Sequence, residues 1–114
     1  PAAENLKAAK VSLRAIEACL KKDGLTIARH EVPDIIAEYP VKFLMDNVEV
    51  YAGLKAGERY FRKAGATKEA DRCKEVAEKM GRELKKYWRK DEKHFAWAIQ
   101  GEAWVDRTYD TGLD

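Results

Sequence analysis

The sequence is poor in the residues that usually announce a function. It has two cysteines, Cys19 and Cys73, and two histidines, His30 and His94, so no C-x-x-C pair or clustered Cys/His set marks a metal site. No Ser or Cys nucleophile motif accompanies either histidine, which disfavours a hydrolase triad. No Gly-rich phosphate loop is present, and the sequence implies no cofactor. Apolar runs extend only a few residues, far short of the ~20 needed to cross a bilayer, so no membrane partner is expected. Glu4, Lys7 and Lys10 interrupt any secretory-signal core near the start. A soluble protein is expected, with a cytoplasmic setting favoured over a secreted one. Pro1 stands where an initiator methionine would, and processing or cutting at that end is expected.

Charge of one sign is also lacking. Twenty-two basic residues against twenty acidic ones leave a net +2, too little to point to nucleic acid. The basic cluster Lys85, Lys86, Arg89 and Lys90 is explained more simply as complementing the negative end of a helix. The two cysteines fall within helical patterns and are expected as buried free thiols.

What is present is helical periodicity. Leu6, Val11, Leu13, Ile16 and Leu20 predict a first helix over residues 2–22, stopped by Asp23-Gly24. Residues 25–29 read as a short strand, and residues 30–40 as a loop in which Pro33 and Pro40 disfavour helix. A second helix is predicted over residues 45–63, with Val48, Tyr51, Leu54 and Phe61 on its apolar face and Ala64-Gly65-Ala66 closing it. Gly53 and Gly57 lie inside it at i, i+4 and predict a close helix–helix approach.

The third helix starts with Thr67 as the expected N-cap and buries Cys73, Val76, Ala77, Met80, Leu84, Tyr87 and Trp88. After Asp91-Glu92 comes an alternating run, with Phe95, Trp97 and Ile99 on one side and Ala96 and Ala98 on the other. Residues 100–114 read as a polar, turn-rich tail anchored by Trp104 and Tyr109. The fold class is therefore all-α: helical hairpins with short β excursions, in a single helical domain spanning residues 1–114.

A faint echo at an offset of 68 residues pairs Ile16 with Leu84, Leu20 with Trp88, Lys22-Asp23 with Lys90-Asp91, and Ile27-Ala28 with Phe95-Ala96. It suggests that helix, turn and strand form a repeating unit, and such units bury their faces by stacking on neighbours.

The segment Tyr39-Pro-Val-Lys-Phe-Leu-Met-Asp-Asn-Val-Glu-Val-Tyr-Ala-Gly-Leu54 resembles one found in six-hairpin glycosidase-like proteins. The stretches Ile16-Glu17-Ala18 to Asp23-Gly24-Leu25-Thr26, Tyr51-Ala-Gly-Leu-Lys-Ala56, and Tyr87-Trp88 to His94-Phe-Ala-Trp-Ala98 agree with it. The resemblance implies part of an (α/α)6 toroid and a glycan in a central cavity. Three helices make about a quarter of such a ring. The chain is thus expected to be a fragment, to self-assemble, or to be a small bundle that only looks like the family.

Glycoside hydrolysis generally uses two carboxyl groups. Asp46 and Glu49 are the candidate catalytic pair, since toroid sites line the ends of inner helices. The competing reading makes Asp46-x-x-Glu49 a capping box, with Met45 and Val50 as its hydrophobic staple. Tyr51, Trp97 and Trp104 are the candidate sugar-stacking residues, with packing in the core as the alternative. Asp106 and Asp110 read as turn residues. The alternative function is a non-catalytic helical module for protein interaction or self-association, because an unfinished repeat leaves an apolar face uncovered.

Overall fold

The computed structural model describes residues 2–26, 41–96, 98–100 and 103–105. Three helices carry the fold: α1 (Ala2–Cys19), α2 (Leu44–Lys63) and α3 (Thr67–Leu84). A 3-10 turn (Lys85–Tyr87) extends α3, and five short strands follow or precede the helices: β1 (Val41–Phe43), β2 (Trp88–Arg89), β3 (His94–Phe95), β4 (Ala98–Gln100) and β5 (Ala103–Val105). The all-α class with short β excursions is what the structure has. Among the described residues no helix is long and apolar enough to cross a membrane. The expected loop over residues 30–40, and most of the expected strand over 25–29, lie outside the described residues.

The first helix ends at Cys19, three residues before the predicted stop. Leu20 leaves the helix to bridge Thr26 in an antiparallel pair. The Lys21 N–H donates to the Leu25 carbonyl at 2.9 Å, and the Leu25 N–H donates to Asp23 Oδ1 at 3.0 Å. Gly24 makes the reversal with φ +85°, a conformation costly for any residue bearing a Cβ. An added Cβ there would also meet the Lys79 side chain at 2.9 Å, so the turn lies directly on α3.

The α2–α3 hairpin is the centre of the molecule. Its connection is a Schellman closure: the Ala66 N–H reaches the Phe61 carbonyl at 2.8 Å, and the N–H of Gly65 (φ +78°) reaches that of Arg62 at 3.2 Å. Ala66, not Thr67, is the N-cap of α3, and no side chain caps it. Along α3, Ala70, Cys73, Val76, Ala77 and Met80 are buried against Leu54 and Phe61 of α2. Of the two helix-packing glycines, Gly57 does the expected job, since a Cβ on it would stand 3.3 Å from Cys73 Sγ. Gly53 faces open space.

Two apolar expectations are overturned. Val11, Val48 and Trp88, assigned to apolar faces, are exposed, since no described element covers them. In the alternating run, Ala96 and Ala98 are fully buried, Phe95 on the other side is 53% exposed, and Ile99 on that same side packs half-buried against the core. The Ala96 N–H donates to the Tyr87 carbonyl at 2.6 Å, and both residues are fully buried in the core cluster.

Strand β4 lies between β1 and β5 in an antiparallel three-stranded sheet, with Lys42 opposite Ile99 and Ile99 opposite Trp104. The tail expected to be turn-rich thus contains a strand. It forms because pairing with β4 satisfies its backbone groups, a gain local polarity does not reveal. A separate hairpin pairs Trp88 with Phe95 and Arg89 with His94. Leu20 and Trp88, matched in the 68-residue echo, each open a tight antiparallel pair after a helix.

The fully buried Asn47 ties these parts together. Its Oδ1 accepts from the Thr26 N–H at 2.8 Å, and its Nδ2 donates to the Thr26 and Phe43 carbonyls at 3.1 and 2.9 Å. Replacing Asn47 with Leu leaves three buried backbone groups without these partners and is expected to cost on the order of 3 kcal/mol or more, read by urea unfolding. A midpoint unchanged from wild type would contradict the role assigned to Asn47.

A second polar tie joins Lys42, Asp23 and Tyr87. The Lys42 ammonium bonds the Asp23 carboxylate, and the Tyr87 hydroxyl donates to the Lys42 carbonyl at 2.8 Å. Burial pushes the Asp23 pKa up, but the Lys42 bond and charge and the Leu25 N–H outweigh it and hold it below the ordinary 3.8. Since the folded value is the depressed one, its stabilisation is complete above 3.8 and is lost as pH falls through the folded value. The Asp23→Asn variant is expected to lose stability at neutral pH and to show a shallower decline on acidification below 3.8 than wild type, measured by thermal melts across pH.

Candidate functional site

Of the six exposed large apolar side chains among the described residues, Val11 and Tyr60 lie on α1 and α2 elsewhere, and four lie on the start of α2 and the β2–β3 hairpin. Met45, Val48, Trp88 and Phe95 are 64, 46, 45 and 53% exposed. The Trp88 and Phe95 rings meet edge to face with centroids 5.0 Å apart. Leu44, Met45, Val48, Glu49, Phe95 and Ala96 line a groove of about 360 Å³.

The hairpin that holds Phe95 outward is fixed by polar contacts. Lys93 takes a positive φ of 58° in its turn. Arg89 bonds Glu92 at 3.2 Å, and His94 Nε2 lies 2.9 Å from the other Glu92 oxygen. With Ala96 locked inward, the period of two turns Phe95 to the surface.

Phe95 also forms one wall of a second cavity, about 520 Å³, lined further by Tyr51, Ala77, Glu78, Gly81, Arg82, Leu84 and Lys85. Gly81 lets the Tyr51 ring lie against α3, since a Cβ there would be 3.2 Å from Tyr51 Cε2. Two depressions therefore flank one aromatic side chain, with Glu49 in one and Glu78, Arg82 and Lys85 in the other.

The candidate residues divide accordingly. Glu49 is exposed and lines the first groove. Asp46, also exposed, lies one turn earlier and outside that lining. The capping-box expectation fails, because the cap of α2 is Phe43, without a side-chain bond. Backbone pairing of β1 up to Phe43 starts the helix earlier than Asp46, which then sits in its first turn and favours the positive end. Tyr51 is half-buried, packed on Gly81 and bordering the second cavity. Trp97 lies outside the described residues. Trp104 lies on β5 opposite Ile99.

Sequence reasoning missed Phe95 as a surface residue, and with it Arg82, Lys85 and Gly81 as cavity walls. Gly81 carried a usable signal: a glycine inside a strongly amphipathic helix costs about 1 kcal/mol against alanine and implies a close neighbour.

Among the described residues no group of three His, Cys, Asp or Glu side chains is placed to hold a metal. Both cysteines are free thiols. Burial pushes the Cys73 pKa up, and the charges of Glu17, Glu58 and Glu69 raise it further. Cys73 is therefore expected to resist a thiol reagent such as DTNB in the native protein, while the half-buried Cys19 reacts. Rapid labelling of Cys73 without denaturant, located by mass spectrometry, would show that the α2–α3 interface opens readily.

The chain matches no family model, no curated protein and no solved structure.

Proposed function

We propose that this chain is a helical-hairpin portion, or a small relative, of a carbohydrate-active six-hairpin glycosidase-like protein, and that a glycan is held at the grooves flanking Phe95. The observation supporting this is the groove that sets the Glu49 carboxylate beside an exposed aromatic ring at the start of a helix. Aromatic rings present an apolar face for the C–H face of a sugar, and carboxylates accept its hydroxyls. Asp46 and Glu49 are three apart on α2, a spacing that puts Cβ atoms about 5–6 Å apart. In this reading Glu49 acts from within the groove and Asp46 from its rim, with Tyr51 contributing to the adjoining wall.

The second reading is a non-catalytic helical module that associates with itself or with another protein. Met45, Val48, Trp88 and Phe95, all exposed in one region, favour it, because clustered exposed apolar groups mark interfaces.

A screen of glycan binding and hydrolysis, paired with light scattering, separates the two. The glycan reading expects turnover that Asp46→Asn and Glu49→Gln each reduce by about 100-fold or more, the size of a lost acid–base contribution. Absence of both binding and turnover, with stable oligomers that Phe95→Asp or Val48→Asp disperses, would establish the module instead.

A further inference from the structure

The β2–β3 hairpin that carries Phe95 has two residues in each strand. A lone two-stranded hairpin is marginal in water, so the contacts beyond its backbone pairing decide whether it stays closed. On one face the Trp88 and Phe95 rings meet edge to face at 5.0 Å. On the other, Arg89 stands opposite His94, and Glu92 in the turn reaches both. One Glu92 oxygen accepts from Arg89 at 3.2 Å, and the other lies 2.9 Å from His94 Nε2. The second ring nitrogen, His94 Nδ1, lies 3.0 Å from the Phe95 carbonyl oxygen. With Glu92 ionised, both imidazole nitrogens therefore face oxygens that only accept. A neutral imidazole has one N–H and one lone pair, so either tautomer sets a lone pair against one of those oxygens. The imidazolium donates to both, and its charge strengthens each bond.

We propose that His94 is a pH-operated clasp of this hairpin: protonated, it ties the turn at Glu92 to the strand at Phe95 and steadies the Trp88–Phe95 face. Deprotonated, it releases the turn and loosens the ring pair. The clasp does not depend on what the Phe95 face binds. Among the described residues, the charged groups around the imidazole are Glu92, its turn neighbours Asp91 and Lys93, and Arg89 across the hairpin. Arg89 and Lys93 oppose a further positive charge, but Arg89 is held by Glu92 and lies 4.0 Å from Asp91. Glu49, Glu78, Arg82 and Lys85 line the depressions at Phe95, whose side chain alternates to the other face of β3. A hairpin that favours the protonated ring raises its midpoint in the folded chain. The added stability is then fully present below the midpoint of an unfolded histidine and is lost as pH rises through the folded one. The lower end of the window is set by Glu92, which must stay ionised.

The test is an NMR titration of the full chain across the range where histidines titrate and glutamates stay ionised. It follows the His94 imidazole, the Trp88 indole N–H and the Phe95 ring. The signal lost in His94→Gln distinguishes His94 from His30. Expected is a His94 midpoint above the ordinary histidine value, lowered by roughly half a pH unit in Glu92→Gln, the size of one exposed ion pair. The Trp88 and Phe95 signals are expected to shift at the His94 midpoint and to lose that shift in His94→Gln. A wild-type midpoint at or below the ordinary value, or Trp88 and Phe95 signals indifferent to it, would overturn the clasp. The wild-type titration decides by itself should either variant misfold.

Discussion

Everything in this fold hangs on how the chain crosses the start of α2, and one amide governs that crossing. Asn47 accepts from Thr26 and donates to both Thr26 and Phe43, so one side chain completes the turn after α1 and the first carbonyl before α2. An apolar side chain of the same size would fill the space but strand three backbone groups, and such groups are costly when buried. The contact joins segments 21 residues apart in sequence, which gives α1 a fixed relation to the hairpin that its few contacts with α2 do not.

Around that amide the ties are arranged by depth. Tyr87, fully buried, reaches the Lys42 carbonyl, and Lys42 reaches Asp23, so α3, β1 and the α1 turn meet at one place. Farther out, Arg72 bonds Glu17 and Lys10 lies 3.5 Å from Glu69, linking α1 to α3 at the surface. Exposed pairs of that kind contribute at most about 1 kcal/mol each. The apolar seam of α2 and α3 and the buried polar ties therefore dominate over these surface pairs.

The sequence made the helices legible because their signal is local. Five buried residues of α3 follow one helical stripe, and Gly65 sits where a helix terminator should. The caps were not legible in the same way. Phe43 caps α2 and Ala66 caps α3 without a side-chain bond, so the residue types that usually mark a start, Asp46 and Thr67, stand inside the helix instead. The strand β5 was hidden for a related reason: what makes Ala103–Val105 a strand is its partner β4, not its own composition. Of the candidate site, Glu49 and Tyr51 were found from sequence. The cavity walls on α3 were not, since Arg82 and Lys85 look like ordinary charges on the solvent side of a helix and the signal of Gly81 names no partner.

The reversal at Phe95 carries the most consequence for function. A period-two run has two sides, and size alone would send Phe95 inward and its alanine neighbour out. The buried Tyr87 occupies that space first, and the Ala96 N–H is drawn to the Tyr87 carbonyl at 2.6 Å. Ala96 lies fully buried in the core cluster with Tyr87, and the ring of Phe95 is left on the surface against Trp88. Covering an aromatic ring is worth roughly 1.5–3 kcal/mol, and this chain forgoes much of that at Phe95. The outward ring then becomes the shared wall of two depressions, one holding Glu49 and the other Glu78, Arg82 and Lys85. An exposed apolar surface thus lies directly behind the buried Ala96, and a substitution there would act on the surface as much as on the core.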